Sequence, residues 1–414
     1  MSEQELKRDR SQRARAPKPT GIARHGRLPR SRAWKTVLGI IGSSLAVVLV
    51  ATGSVAGIAA YQLSSQLTAN SVDINEGTEA PIPEIGAYEG GFNILVVGSD
   101  ADAETRDSVL NDVNILIHVS ADQTSAVALS LPRDLVVPFP SCTDPETGRK
   151  SSAATGLPIN NALSYGGLGC VVDVVENFTG LDINYAGMIG FYGVAAMADA
   201  VGGVDVCLAG DLHDRFTGLK LPAGTHHMTG TTAMLFLRSR HGVGDGSDLT
   251  RISSQQVFLS SLLRKLKSEE TLTDVSKLIS LTKAAAENMQ LSKELTQPAT
   301  IIAMAKALNK IPMDRITFLQ FPGSTGGTGI YAGKVQPKMG LANQLFDAIR
   351  NDQPIGVAQA GDDRGSTIDP NAPTTPADPA TPDPDVSAAP LPDKVVIPGV
   401  NGQSAADHTC TVTN

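Results

Sequence analysis

The sequence predicts an α/β fold, a central β-sheet covered by helices, preceded by one transmembrane helix. Three observations predict it. Between residues 91 and 350, short apolar runs rich in β-branched residues alternate with longer runs that carry Asp or Thr near the start and Gly, Asn or Lys near the end. Residues 36–60 form an uncharged run of 25 residues. After residue 350 the composition changes, with ten of the 25 prolines falling between Pro354 and Pro398.

The uncharged run, as a helix rising about 1.5 Å per residue, would span roughly 37 Å, enough to cross a bilayer with some tilt. Residues 1–35 hold eleven Lys and Arg against three Asp and Glu, a balance of +8. Trp34 and Lys35 stand where a membrane interface would be. The positive-inside rule therefore puts 1–35 in the cytoplasm, as a basic tail, and everything after residue 60 outside. A cleaved signal peptide is the competing reading, since Gly57, Ala59 and Ala60 are small enough for a cleavage site, but both the basic segment and the apolar run exceed usual signal-peptide lengths. The whole chain carries −8, so subtracting the +8 of the tail leaves −16 on the remainder. That balance excludes a nucleic-acid-coating protein, and no nucleic-acid partner is expected.

Residues 61–90 read as a polar extracytoplasmic stalk. Strands are expected at 93–97, 113–119, 125–131, 204–208 and 316–321, and helices at 169–178, 190–200, 249–267, 274–288 and 297–308. The mixture argues for a sheet covered by helices over 91–350. Residues 351–414 read as a Pro-rich linker and tail, because a stretch such as PATPDPDV cannot bury enough apolar surface to fold. Its end could add a strand tied down by Cys410 or fray. All four cysteines, Cys142, Cys170, Cys207 and Cys410, lie on the presumed outer side, where thiols oxidise. Three pairings are open. Cys142 with Cys170 is favoured because it closes a loop rich in Gly, Ser and Pro, which leaves Cys207 for Cys410 or as a buried free thiol.

Two constellations carry chemistry. Asp100 follows the first strand, Asp112 opens the second and Arg133 follows the third. If these strands form an antiparallel meander, all three residues share one rim of the sheet. Two carboxylates there suit Mg²⁺, which keeps several waters and takes further ligands from substrate phosphates, although isolated Asp residues also cap turns. The second is LRSRHGVGDGSDLTRISSQQ, in which Arg238 and Arg240, at i and i+2, share a face if the segment is extended. Asp248, Arg251 and Gln255, at i, i+3 and i+7, share a stripe of a helix. Planar, permanently charged guanidinium groups suit phosphate oxygens, whereas a solvated ion-pair surface would use Lys and Glu freely. His226 and His227 read as surface residues, and no P-loop, dinucleotide fingerprint or nucleophile elbow is present.

Taken together, NILVVGSD, NDVNILIHV, LSLPRD, INNALSYGG, GFYGVAAMADAVGGVDV and LRSRH with DLTRISSQQ resemble the LytR-CpsA-Psr family of cell-wall enzymes, in the right order from about residue 93 to 321. The cysteines and the GDGSDLTRI phrasing look like the family's actinobacterial branch. The resemblance implies a mixed sheet in an α/β/α catalytic domain over 91–350. It implies a membrane-anchored, Mg²⁺-dependent phosphotransferase, with Mn²⁺ as a substitute. Such an enzyme takes a glycopolymer from a polyprenyl-pyrophosphate carrier and joins it to peptidoglycan through a phosphodiester. On this reading Asp100 and Asp112 hold the metal, and Arg133, Arg238, Arg240, Arg251 and Gln255 grip the pyrophosphate. Arg133 and Asp248 act at the reaction centre, with Asp248 orienting the arginines or acting as a base. A lipid groove is expected along 178–197 and the helix after Gln255. One departure stands out: many relatives carry Arg just before the second metal-site Asp, where this chain has Asn111, with Arg106 the nearest candidate. Two other functions fit the same residues, a polyprenyl-pyrophosphate phosphatase with water as acceptor and a non-catalytic receptor for anionic lipid or wall polymer.

Overall fold

A computed structural model describes residues 71–74, 90–100, 109–145, 147–268, 275–372 and 391–414, together with scattered positions between 34 and 68. The chain divides into two units, 1–60 and 61–414. In the first, residues 37–45 are helical. Most of the 36–60 run expected to cross a membrane lies outside the described residues, and among the described residues no helix is long and apolar enough to do so. The basic tail lies outside them as well.

The second unit is built on strands β1 (Phe92–Ser99), β2 (Asn111–Val119) and β3 (Ala126–Leu131), which form the expected antiparallel meander. The following elements are the hairpin β4 (Val136–Phe139) and β5 (Ala154–Pro158), α1 (Ala162–Thr179), β6 (Tyr185–Ile189), α2 (Phe191–Ala200), β7 (Val204–Leu208), β8 (Gly224–Met228) and α3 (Gly230–Arg238). Then come α4 (Asp248–Ser268), α5 (Val275–Asn288), β9 (Met289–Leu291), α6 (Pro298–Lys310), β10 (Ile316–Gln320), α7 (Met339–Arg350), β11 (Ser366–Ile368), β12 (Gly402–Ser404) and β13 (Thr409–Thr411). The main sheet has seven strands in the order β9-β6-β1-β2-β3-β10-β12, and it is mixed, since β6 joins β1 and β10 joins β3 in parallel. A second sheet runs β8-β7-β13-β11.

Alternation along the meander sends side chains to two cores. Leu95, Val97, Leu116, Leu129 and Leu131 face α1 and α7, with Val171, Val174 and Phe346. Phe92, Ile115, Ala126 and Ala128 face the other way, toward α4 and α6, with Met304, Ala307 and the half-buried Leu259 and Leu263. Every residue of β3 is buried, as a central strand covered on both faces must be.

Helix α1 begins earlier than the expected 169, at Ala162, and breaks at Gly166–Gly167. The break has a covalent reason. Cys142 and Cys170 form a disulfide with their Cα atoms 5.4 Å apart, and a Cβ on Gly166 would come within 2.9 Å of Cys170 Cβ. Cys207 pairs with Cys410, so both favoured pairings are formed and Cys207 is not a free thiol.

Two boundaries differ from expectation. Within the expected stalk, Val72 donates its N–H to Leu291 O and Leu67 and Ile74 are buried, so this stretch is sealed to the edge of the main sheet. The tail expected from 351 is woven into the unit: β12 pairs with β10, and β13 lies between β7 and β11, held by Cys410. Short strands with little apolar periodicity gain their ladder hydrogen bonds from strands already present. Residues 373–390, the most Pro-rich part, lie outside the described residues.

Candidate active site

The meander delivers Asp100, Asp112 and Arg133 to one rim. Asp100 follows β1 and is buried; its Oδ1 accepts the Leu110 N–H at 2.7 Å, closing the turn that returns the chain to β2. The register shifts between Gly98, which faces Val113, and Ser99, which faces Asn111, so Asp112 is the extra residue of a bulge at the rim where β1 ends and Asp100 follows. Arg133 Nη1 donates to Asp112 Oδ1 at 2.7 Å.

Helix α4 opens against this rim. Asp248, its first residue, accepts the backbone N–H of Arg133 on Oδ2 at 3.0 Å, and its Oδ1 lies 2.5 Å from Arg251 Nη2, a charge contact rather than an aligned hydrogen bond. Arg251 Nη2 also donates to the carbonyl of Asp112 at 2.8 Å. Gln255, one turn further, donates from Nε2 to Leu237 O at 3.0 Å and so ties α4 to the end of α3. Asp112, Arg133, Asp248, Arg251 and Gln255 thus surround one small pocket, as the helical spacing requires. The side chains of Asp248 and Arg251 are 3% and 7% exposed, so their charges meet in a region largely withdrawn from water. Burial works against the Arg133 charge, but Asp112, backed by Asp134 and Asp248, outweighs it and raises the guanidinium pKa.

Three buried donors at this pocket are left without a hydrogen-bond acceptor among the described residues: Arg133 Nε, Arg251 Nε and Asn114 Nδ2. Arg133 Nε has an ion-pair neighbour, Asp134, at 3.8 Å. Orphaned buried donors cost free energy, and an anion with several oxygens would satisfy all three.

Arg238 and Arg240 do not share an extended face. Helix α3 runs through Arg238, whose guanidinium stacks 3.9 Å over the Phe191 ring of α2. Arg240 follows in a loop, and its Nε turns back to Gly246 O at 2.8 Å. Neither arginine lines the pocket; Arg238 follows Leu237, whose carbonyl receives Gln255. The expected lipid groove is also divided, because Phe178 packs on Phe321 and Phe346 on the α1/α7 face while α4 covers the opposite face.

Several residues at the site went unnoticed in the sequence. Asn111, fully buried, accepts Leu163 N–H on Oδ1 and donates from Nδ2 to Asn114 Oδ1 and Ile159 O, fixing the INNAL turn to β2. The residue just before Asp112 is thus a structural asparagine, and Arg106 lies outside the described residues. Asp214, 1% exposed, accepts the N–H groups of Arg240 and His241 at 2.9 and 3.0 Å and of Phe216 at 2.8 Å. Burial pushes the Asp214 carboxyl up, but these backbone donors outweigh it and hold its pKa below the ordinary value. His227 pairs with Asp205 on the surface.

The LytR_cpsA_psr family profile matches residues 56–346. The chain belongs to the LytR-CpsA-Psr family. It is 27% identical over 349 residues to the cell wall biosynthesis protein LcpA of Corynebacterium glutamicum, covering 73% of this chain and 61% of LcpA, so it spans less than two thirds of that relative's length. It is 24% identical over 305 residues to the polyisoprenyl-teichoic acid–peptidoglycan teichoic acid transferase TagT of Bacillus subtilis, covering 71% of this chain and 89% of TagT. The corynebacterial likeness fits an actinobacterial type of LytR-CpsA-Psr protein. The fold is shared with the crystal structure of B. subtilis TagV, at a TM-score of 0.53 and 22% identity over 64% of this chain and 98% of that one. It is shared too with TagT bound to LIIa-WTA, at 0.50 and 20% over 68% and 98%.

Proposed function

We propose that this protein transfers a glycopolymer from a polyprenyl-pyrophosphate carrier to peptidoglycan, forming a phosphodiester. The observation that carries the reading is the set of orphaned donors, Arg133 Nε, Arg251 Nε and Asn114 Nδ2, on residues that line one small pocket. A pyrophosphate offers the oxygens they need. Phosphoryl transfer requires charge neutralisation and in-line positioning more than a reactive side chain, and fixed guanidinium groups supply both. Arg133 and Arg251 hold the bridging and terminal oxygens of the donor. The acceptor hydroxyl forms its bond to the glycan-bearing phosphorus as the bond from that phosphorus to the bridging oxygen breaks; polyprenyl phosphate leaves with that oxygen, and the hydroxyl proton passes to water. Asp248 accepts the Arg133 N–H on Oδ2 and lies against Arg251 through Oδ1, so it orients both arginines. Arg238 and Arg240 add positive charge at the Gln255 end.

Asp100, after β1, and Asp112, in the bulge of β2, would supply two hard carboxylates at one rim for Mg²⁺ or Mn²⁺, with water and phosphate oxygens completing the shell. When bound, the ion would neutralise charge on the leaving phosphate. The carrier's chain has an apolar bed on the α4 face of the sheet, where Ile94, Val96, Val113 and Ile117 are only half-buried beneath the half-buried Leu259 and Leu263. The uncharged run 36–60, with its basic flank, would hold the protein in the membrane with residues 61–414 outside.

The test combines the full-length protein in detergent, Mg²⁺, a short glycan on polyprenyl pyrophosphate and peptidoglycan fragments, with mass spectrometry of the products. Glycan joined to peptidoglycan through phosphate is the expected result. Free glycan phosphate with unmodified peptidoglycan would show a hydrolase, and bound but unconsumed donor a receptor.

A further inference from the structure

Between β7 and β8 the chain makes a small hairpin in which Leu212–His213 pairs with Lys220–Leu221. Its tip presents Phe216, 65% exposed in a protein with only 4% aromatic residues. The ring is not loose. Its backbone N–H is fixed by Asp214, Thr217 Oγ1 lies 3.2 Å from Ser239 Oγ, and the ring stacks on His241 with centroids 4.2 Å apart. The Arg215 guanidinium sits 4.9 Å from the same ring.

The carboxylate that fixes this tip is the one that receives the N–H groups of Arg240, His241 and Gly242. A single buried group therefore sets the aromatic tip and the Arg240 loop in one frame. A large ring held in a fixed pose at an exposed tip is available to a ligand. The chemistry of the surroundings says what that is. A pyranose presents an apolar C–H face that lies on an aromatic ring and a rim of hydroxyls that bond to planar polar groups. Phe216 supplies the first, and Arg215 and His241, both exposed, supply the second.

We propose that Phe216, Arg215 and His241 form a pyranose-binding platform that seats a sugar ring beside the Arg240 loop. The proposal rests on the glycopolymer-transfer reading and extends it, giving that site a sugar subsite. The ring could belong to the glycan of the donor or to the acceptor strand, and the two are told apart by kinetics.

Trp34 is the sole tryptophan, so in a Trp34→Phe background the Phe216→Trp variant carries one indole at the platform. Full-length protein in detergent is titrated with soluble peptidoglycan glycan strands and, separately, with a glycan pyrophosphate on a shortened prenyl chain. A saturable emission change with one probe is expected. The Phe216→Ala variant should then raise KM for that same substrate about tenfold, with kcat within about twofold, whereas Phe216→Trp in the native background keeps both constants. An emission response to neither probe, or unchanged KM for both substrates in Phe216→Ala, overturns the platform while leaving the transfer reading intact. Absence of transfer by the wild-type protein would instead overturn the transfer reading, and the titration would still decide the platform.

Discussion

Removing the Arg133 side chain takes away one of the orphaned donors and leaves Asp112 without its 2.7 Å partner. Arg133→Ala should lower transfer by about 10²- to 10³-fold, and Arg133→Lys should not restore it, because a point charge cannot reproduce a planar fork. Product mass spectrometry checks the first part, and a thermal melt close to wild type shows that the fold survives. Asp214 makes a different prediction. Its folded pKa lies below the unfolded value, so the stability it lends is complete above about pH 4 and is lost as the pH falls through the folded pKa. Exchange protection factors at the Arg240, His241 and Gly242 amides should fall in acid in the wild type, whereas in Asp214→Asn they should be low already at neutral pH. Asp112 and Arg133 were legible because they sit at the ends of clear strands whose meander fixes their rim. Asp214 was not, since it lies in a two-stranded hairpin and reaches Arg240 only through tertiary packing. The shared face assigned to Arg238 and Arg240 assumed extended chain where α3 continues.

Strand β2 is anchored at its start by Asn111, whose amide bonds to Asn114, Leu163 and Ile159 with no exposed surface. Asn111→Ala would leave a buried N–H and a buried carbonyl unpaired, at a cost of about 2–4 kcal/mol, readable as a lower denaturant midpoint with an unchanged slope. The effect should reach function, because Asn111 precedes Asp112 and holds the turn that leads into α1. Elements of this length were readable in the sequence: β1, β2, β3 and α4 carry enough apolar periodicity to declare themselves within two or three residues. Strands β9, β11, β12 and β13 have three residues each, too few for any period to appear; β9, β12 and β13 add to longer strands, and β11 adds to β13.

Across the whole molecule, the last strand does two jobs at once. Cys410 joins β13 to β7 across a separation of 203 residues, a closure that restricts the unfolded chain by about 5 kcal/mol, against roughly 3–4 kcal/mol for the 28-residue loop of Cys142 and Cys170. Beyond Cys410 the chain straps the Arg240 loop: Gly244 donates to Val412 O, and Asn414 donates to Gly242 O from its backbone and to His241 O from its side chain; Arg364, before β11, adds an ion pair with Asp245. A composition-based reading sees in this region a proline-rich tail, because nothing local reveals that its end returns to β7. Two variants separate the consequences. Cys142→Ser with Cys170→Ser should lower stability and leave the donor KM near wild type at temperatures where the protein stays folded. Cys207→Ser with Cys410→Ser should lower stability further and also raise the donor KM, because β13 and the residues after it would release the loop that carries Arg240. Equal donor KM values in the two double variants, measured well below both melting temperatures, would show that the strap stabilises the fold without positioning the arginine.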